Sequence, residues 1–191
     1  MLATVLAIVA VTAPLRHFFW KPELPVLGEV AVFQLVSDDG GPFDSTTLAG
    51  RAWLASFLYT SCPGPCPRLV ERLKRVRKEV PPASLAFVSI SVDPEKDTPE
   101  VLRKYKSEHG IGSTDAWTFV TGPGAQVLAL VQRGFLTGVE RTDSNTAEGA
   151  VSHGTRVALV DGQARIRGFY STDSDDDLAR LAGDAAGLAR R

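Results

Sequence analysis

The sequence predicts an α/β domain, and three observations predict it. Residues 52–59 and 85–92 are apolar runs short enough for strands covered on both faces. Each is followed, after a proline-bearing turn, by apolar residues at helical spacing: Leu69, Val70, Leu73, Val76 and Val80 after the first, Val101, Leu102 and Tyr105 after the second. Near the C-terminus, residues 155–160 and 165–170 flank Asp161-Gly162-Gln163-Ala164, a hairpin signal. Strand, helix, strand, helix, then a hairpin and a last helix is the element order of a thioredoxin-like fold, here with an N-terminal β-hairpin extension.

At the N-terminus, residues 2–15 are uncharged and mostly apolar, and Arg16-His17-Phe18-Phe19-Trp20-Lys21 behind them have the character of interfacial anchors. The run is shorter than the ~20 residues of a spanning helix. It lacks a basic n-region, and Arg16 and Lys21 favour a cytoplasmic position for the domain behind them, against export. The reading adopted is a membrane anchor or signal over residues 1–21, with the thioredoxin-like domain over residues 22–191. Pro22 and Pro25 end the segment, residues 30–36 alternate as a strand, and Asp38-Asp39-Gly40-Gly41 turns it into a short hairpin. After the first core strand and its helix, Pro81-Pro82 stops the helix. Residues 85–92 read as an inner parallel strand. Thr98 is the expected N-cap of the next helix, with Pro99 in its first turn. Residues 117–121 form a further strand, 125–132 a short helix, 140–149 an exposed loop and 174–188 the closing helix.

One domain plus a tail suits 191 residues, and 44% hydrophobic residues suffice for a core. The 21 basic and 22 acidic side chains leave a net charge of -1, so nothing electrostatic argues for nucleic acid.

Chemistry concentrates in Tyr59-Thr60-Ser61-Cys62-Pro63-Gly64-Pro65-Cys66-Pro67, which holds both cysteines of the chain. So close a pair clips only a tiny loop, which argues for thiol chemistry over stapling. The loop joins a buried strand to a helix, with Pro67 in the first turn and Cys66 at the helix N-terminus. There, free N–H groups and the positive end of the macrodipole favour thiolate, so the loop is expected to hold two activated sulfurs. Such a pair binds a soft metal ion or oxidises to a disulfide.

A third ligand would decide between these, and the chain has three histidines. His17 belongs to the N-terminal segment. His109 suits a helix C-cap. His153 lies between the exposed loop and the hairpin, where a thioredoxin-like sheet can bring it to the cysteines. Structural zinc is disfavoured, because a closed site wants four ligands.

The Cys62/Cys66 motif, the run Ser91-Val92-Asp93-Pro94-Glu95-Lys96-Asp97-Thr98-Pro99, and His153 ahead of a strand and an Asp-Gly turn together resemble the Sco/SenC family of copper-delivery proteins. The resemblance implies a domain tethered outside the cytoplasm, on the periplasmic side, that carries copper to the copper centre of cytochrome c oxidase. It implies Cys62, Cys66 and His153 as ligands for Cu(I) and Cu(II), a set whose softness fits copper. The implied partner is a copper-receiving oxidase subunit or another cysteine-containing client. Some members are thought to reduce that centre's cysteines, so the alternative is a thiol-disulfide oxidoreductase with Cys62 and Cys66 as its redox pair. The three-residue spacing departs from the CxxC of dedicated oxidoreductases and suits a metal loop better. Asp93 matches an acidic position of the family and reads first as a loop acceptor. Many relatives carry acids where this chain has Gly64 and Ser152, so it lacks two carboxylates near the site.

Overall fold

The computed structural model of the chain describes residues 23–81, 83–135 and 155–189. The segment 1–21 with His17, and residues 136–154 with Ser152 and His153, lie outside the described residues. Among the described residues no helix is long and apolar enough to cross a membrane.

Among the described residues, eight strands form one mixed sheet in the order β1-β8-β7-β4-β5-β6-β2-β3. They are β1 (Gly28–Glu29), β2 (Gln34–Ser37), β3 (Pro42–Asp44), β4 (Ala52–Leu58), β5 (Leu85–Ser91), β6 (Trp117–Thr121), β7 (Arg156–Val160) and β8 (Arg165–Ser171). Helices α1 (Pro65–Glu79), α2 (Pro99–Glu108), α3 (Gly124–Ala129) and α4 (Asp175–Leu188) connect or follow them. The central strands β4, β5 and β6 are parallel, with β5 between the other two. Every residue of β4 and β5 is buried, as their unbroken apolar runs require.

Alternation along the strands divides the core. Leu54, Leu58, Phe87, Trp117, Phe119 and Leu159 pack with the apolar stripes of α1, α2 and α4. Trp53, Ala55, Phe57, Val88 and Ile90 pack on the other side with Val127, Leu130, Val131 and Phe135. Two serines interrupt the first layer without leaving a polar group stranded. The Ser56 and Ser89 hydroxyls are 2.8 Å apart, and Trp117 Nε1 donates to Ser89 Oγ at 2.8 Å.

The N-terminal expectation is refined. The strand expected over residues 30–36 begins only at Gln34, because Val30 donates instead to Ala164 O beside β8. β1 lies against β8 at one edge, while the β2–β3 hairpin adds to β6 at the other. The expected helix over residues 125–132 is α3 followed by a π turn, Leu130–Gly134, whose wider winding lets both Leu130 and Val131 reach the core.

Register positions the site. β4 and β5 run level, from Ala52 opposite Leu85 to Leu58 opposite Ser91. The loops after them therefore leave the sheet side by side, at the C-terminal end of the parallel strands, where open α/β sheets place their sites.

Candidate metal and thiol site

Gly64 is the N-cap of α1 and Pro65 opens the helix, so Cys66 falls in its first turn. No side chain caps this end in the usual way. The role passes to a sulfur: Cys66 N–H donates to Cys62 Sγ at 3.3 Å. Cys62 N–H in turn donates to Tyr59 O at 3.3 Å, closing the loop on itself. Both cysteines are free thiols within the core layer beneath α1, and Cys66 is the deeper at 1% exposed against 5% for Cys62.

The expectation of two activated sulfurs is corrected, because the pair is asymmetric. Burial raises the Cys62 pKa, but hydrogen bonds from the Cys66 thiol, from the Gly64 and Cys66 N–H groups and from the Tyr59 hydroxyl outweigh it, and the net shift is downward. Burial pushes Cys66 up to about 12, and the negative charge of its neighbours Cys62 and Asp97 adds to that. The helix terminus acts as the sequence implies, but its N–H groups point at the sulfur outside the helix. A side chain inside the first turn cannot reach the donors above it.

A second loop clamps the first. Asp97, wholly buried, accepts Thr60 N–H at 3.1 Å, the Thr60 hydroxyl at 2.5 Å and the Ser91 hydroxyl at 2.6 Å. The clamp ties the residues just before Cys62 to the end of β5. Thr98 then caps α2 by accepting Val101 N–H at 3.4 Å. Asp93 is a loop acceptor, as expected: its carbonyl receives Lys96 and Asp97 N–H, and its carboxylate pairs with Lys96 at 3.1 Å. His109 is the C-cap of α2, its Nδ1 lying 2.8 Å from Tyr105 O.

The structure thus brings Cys62 and Cys66 together and assigns His109 elsewhere. His153 lies outside the described residues. Among the described residues no three His, Cys, Asp or Glu side chains converge on a metal position. The two sulfurs form a soft, nearly dry donor pair, which suits a thiophilic ion and offers little to a hard one. Gly64 meets no steric requirement: its φ of -161° is open to any residue, and an added Cβ would touch nothing within 4 Å. An acidic side chain at this position therefore fits this backbone. Sequence reasoning gave Asp97 no role in the site. The available signal for Asp97 was an acid directly before an N-cap at a parallel strand's C-terminal end.

Fold and site define a thioredoxin-like domain that carries a CxxxC dithiol at the head of its first core helix. The family model described as SCO1/SenC matches residues 27–186, and the chain belongs to that family. A Stutzerimonas stutzeri relative, described as a candidate copper-binding protein, is 30% identical over 148 residues, covering 76% of this chain and 70% of its own. The SCO1 protein homolog of Bacillus subtilis is 28% identical over 162 residues, 81% of this chain and 82% of its own. Among solved structures, a SCO1/SenC family lipoprotein from Bacillus anthracis superposes with a TM-score of 0.75. It is 27% identical, and the match covers 88% of this chain and 99% of that one.

Proposed function

We propose that this protein binds copper through Cys62, Cys66 and His153 and passes it to the copper centre of cytochrome c oxidase by thiolate exchange. The observation that carries the reading is the paired sulfurs, buried at 5% and 1% exposure and unequal in acidity. Family membership and the copper-binding description of the S. stutzeri relative support it.

Copper is cargo here. Cys62, the more acidic and less buried of the two, meets the ion first. Cys66 gives up its proton only when a soft cation replaces it, which makes the second bond selective for metals that pull hard on sulfur. His153 supplies the harder imidazole that Cu(II) needs. On delivery, a client thiolate displaces Cys62 first, and the deeper Cys66 lets go last.

Glu23 and Leu24 are tied to Arg167 at the pole opposite the cysteines. The described chain thus enters the domain at the pole remote from the sulfurs, which suits a domain over residues 22–191 held on the outer side of a membrane by an anchor over residues 1–21.

The same asymmetry favours one alternative. In a thiol-disulfide oxidoreductase, Cys62 thiolate attacks a client disulfide and releases one client thiolate. Cys66 then loses its proton and attacks Cys62, freeing the second client thiol and leaving a Cys62–Cys66 disulfide, two electrons having passed to the client.

The test is a titration of the reduced chain with Cu(I) and Cu(II). A stoichiometric complex with a thiolate-to-Cu(II) charge-transfer band is expected, and His153→Ala should weaken Cu(II) far more than Cu(I). No copper uptake, together with ready disulfide exchange that Cys62→Ser and Cys66→Ser each abolish, would establish the oxidoreductase instead.

A further inference from the structure

At the pole opposite the cysteines lies a cavity of about 500 Å³, within the size range of small-molecule sites, whose charged wall is Glu23, Arg51, Asp161, Arg165 and Arg167. Three guanidinium groups line it against two carboxylates. Asp161 is already saturated by Arg165, Arg167 and the N–H groups of Gln163 and Arg165. Glu23, whose side chain is 65% exposed, holds Arg167 Nη2 at 3.3 Å. Arg167 Nε is nevertheless buried with no hydrogen-bond partner among the described residues, in a side chain only 2% exposed. Arg51 donates to Leu85 O at 3.1 Å, and burial followed by the charge of Arg77 lowers its pKa. The cavity thus combines an excess of positive charge, partly withdrawn from water, with a guanidinium donor that lacks an acceptor. One bound anion meets both needs, and the guanidinium fork suits phosphate.

The position of the cavity selects the anion. Its wall includes Glu23, which follows Trp20 closely enough that the intervening chain spans at most ~11 Å. With residues 1–21 as the anchor and its aromatic side chains at the bilayer interface, the cavity comes within reach of the headgroup layer, which is ~5–8 Å deep on each face. Tethering raises the effective concentration of a headgroup at the cavity and leaves that of a soluble anion unchanged.

We infer that the cavity lined by Arg51, Arg165 and Arg167 receives the phosphate of an anionic phospholipid. The inference rests on the anchor reading above and deepens it: the headgroup fixes the tethered domain on the bilayer by the pole remote from the dithiol. The sulfurs are then presented ~20 Å further out, the length of β4.

The experiment mixes the full chain with vesicles of phosphatidylcholine, or of phosphatidylcholine and phosphatidylglycerol, and records flotation and thermal unfolding. With headgroups at about tenfold their dissociation constant, phosphatidylglycerol should raise Tm by about 3–6 °C over phosphatidylcholine alone, and concentrated salt should shrink the rise. Arg165→Gln should remove the rise, each variant being measured against its own Tm in phosphatidylcholine. Glu23→Gln takes a competing carboxylate from the wall and should enlarge it, an outcome that a damaged fold does not produce. Equal Tm in both vesicles for the wild type and Glu23→Gln overturns the proposal, as does a rise that Arg165→Gln retains. An equal rise from inorganic phosphate added to phosphatidylcholine vesicles overturns it in favour of a soluble anion. A wild type that does not float with phosphatidylcholine vesicles overturns the anchor reading instead. The cavity is then decided by whether phosphatidylglycerol vesicles carry the wild type up and leave Arg165→Gln behind.

Discussion

Asp97 and Asp161 are both buried carboxylates just beyond the ends of core strands, at opposite poles of the sheet, and their charges are satisfied by different chemistry. Asp161, after β7, accepts Arg167 Nη1 and Arg165 Nε at 2.9 Å and the Gln163 and Arg165 N–H groups at 3.0 Å. Asp97 accepts only neutral donors, from Thr60 and Ser91, and among the described residues no cation pairs with it. The poles lie about 20 Å apart, the length of a seven-residue strand. At one pole the charge is neutralised and the chain is anchored, since Arg167 also holds Leu24 O and Glu23. At the other it is held without neutralisation, and its negative charge adds to the burial that chiefly raises Cys66. Burial alone therefore does not set a group's chemistry; the charge of its partners does.

The largest expected effect breaks the neutralised pole. Asp161→Ala leaves the Arg167 guanidinium, 2% exposed, with only an exposed glutamate as ionic partner. It should cost about 3–5 kcal/mol in urea unfolding, the range for breaking a buried pair. A loss below ~1 kcal/mol, the value of a surface pair, would make the two poles energetically alike.

Next comes Asp97→Asn, which keeps the shape of the clamp but removes its charge and mismatches the amide with Thr60 N–H. About 1–3 kcal/mol should be lost. In a Cys62→Ser background, which already removes the Cys62 share of the upward shift, Asp97→Asn should lower the Cys66 thiol further, read from the pH dependence of alkylation. An unmoved titration would mean that burial alone raises Cys66.

Acid should do gradually to Asp161 what alanine does at once. Burial raises its pKa, but the hydrogen bonds from Arg165, Arg167 and Gln163 more than offset this and hold it below the ordinary carboxylate value. A depressed folded-state pKa gives stability that is complete above the unfolded value of ~3.9 and is lost as pH falls through the folded one. The urea midpoint should drop below pH ~4, with a shallower slope in Asp161→Asn. Equal slopes would show that other carboxylates carry the acid sensitivity.

The smallest effect sharpens the contrast by adding charge at the thiol pole. Gly64→Asp puts an acid at a position with room for it. The better N-cap should add a few tenths of a kcal/mol, while Cys62 alkylates more slowly at neutral pH. Faster alkylation would mean that the new carboxylate turns away from the sulfurs.

Local pattern determined much of this protein. The unbroken apolar runs of β4 and β5 required buried strands, Thr98-Pro99 marked a helix start that the structure caps as expected, and the closing helix begins one residue after Ser174, which is its N-cap. The Asp161-Gly162 turn required the β7–β8 hairpin. The proline-rich loop placed both cysteines at the head of α1, because strand and helix periodicity and proline's missing N–H are properties of a few consecutive residues.

Tertiary structure alone decided what depends on residues far apart in the chain. The separation of β1 from the β2–β3 hairpin to opposite sheet edges results from hydrogen bonds to Ala164 and to β6. The Asp97 clamp spans 37 residues to Thr60, and Tyr105 joins the core cluster that holds the cysteines only through packing. The unequal acidity of Cys62 and Cys66 has the same origin. Both sit in one short motif, but desolvation and the field of a distant carboxylate act through space, and only the fold brings these groups within reach of each other.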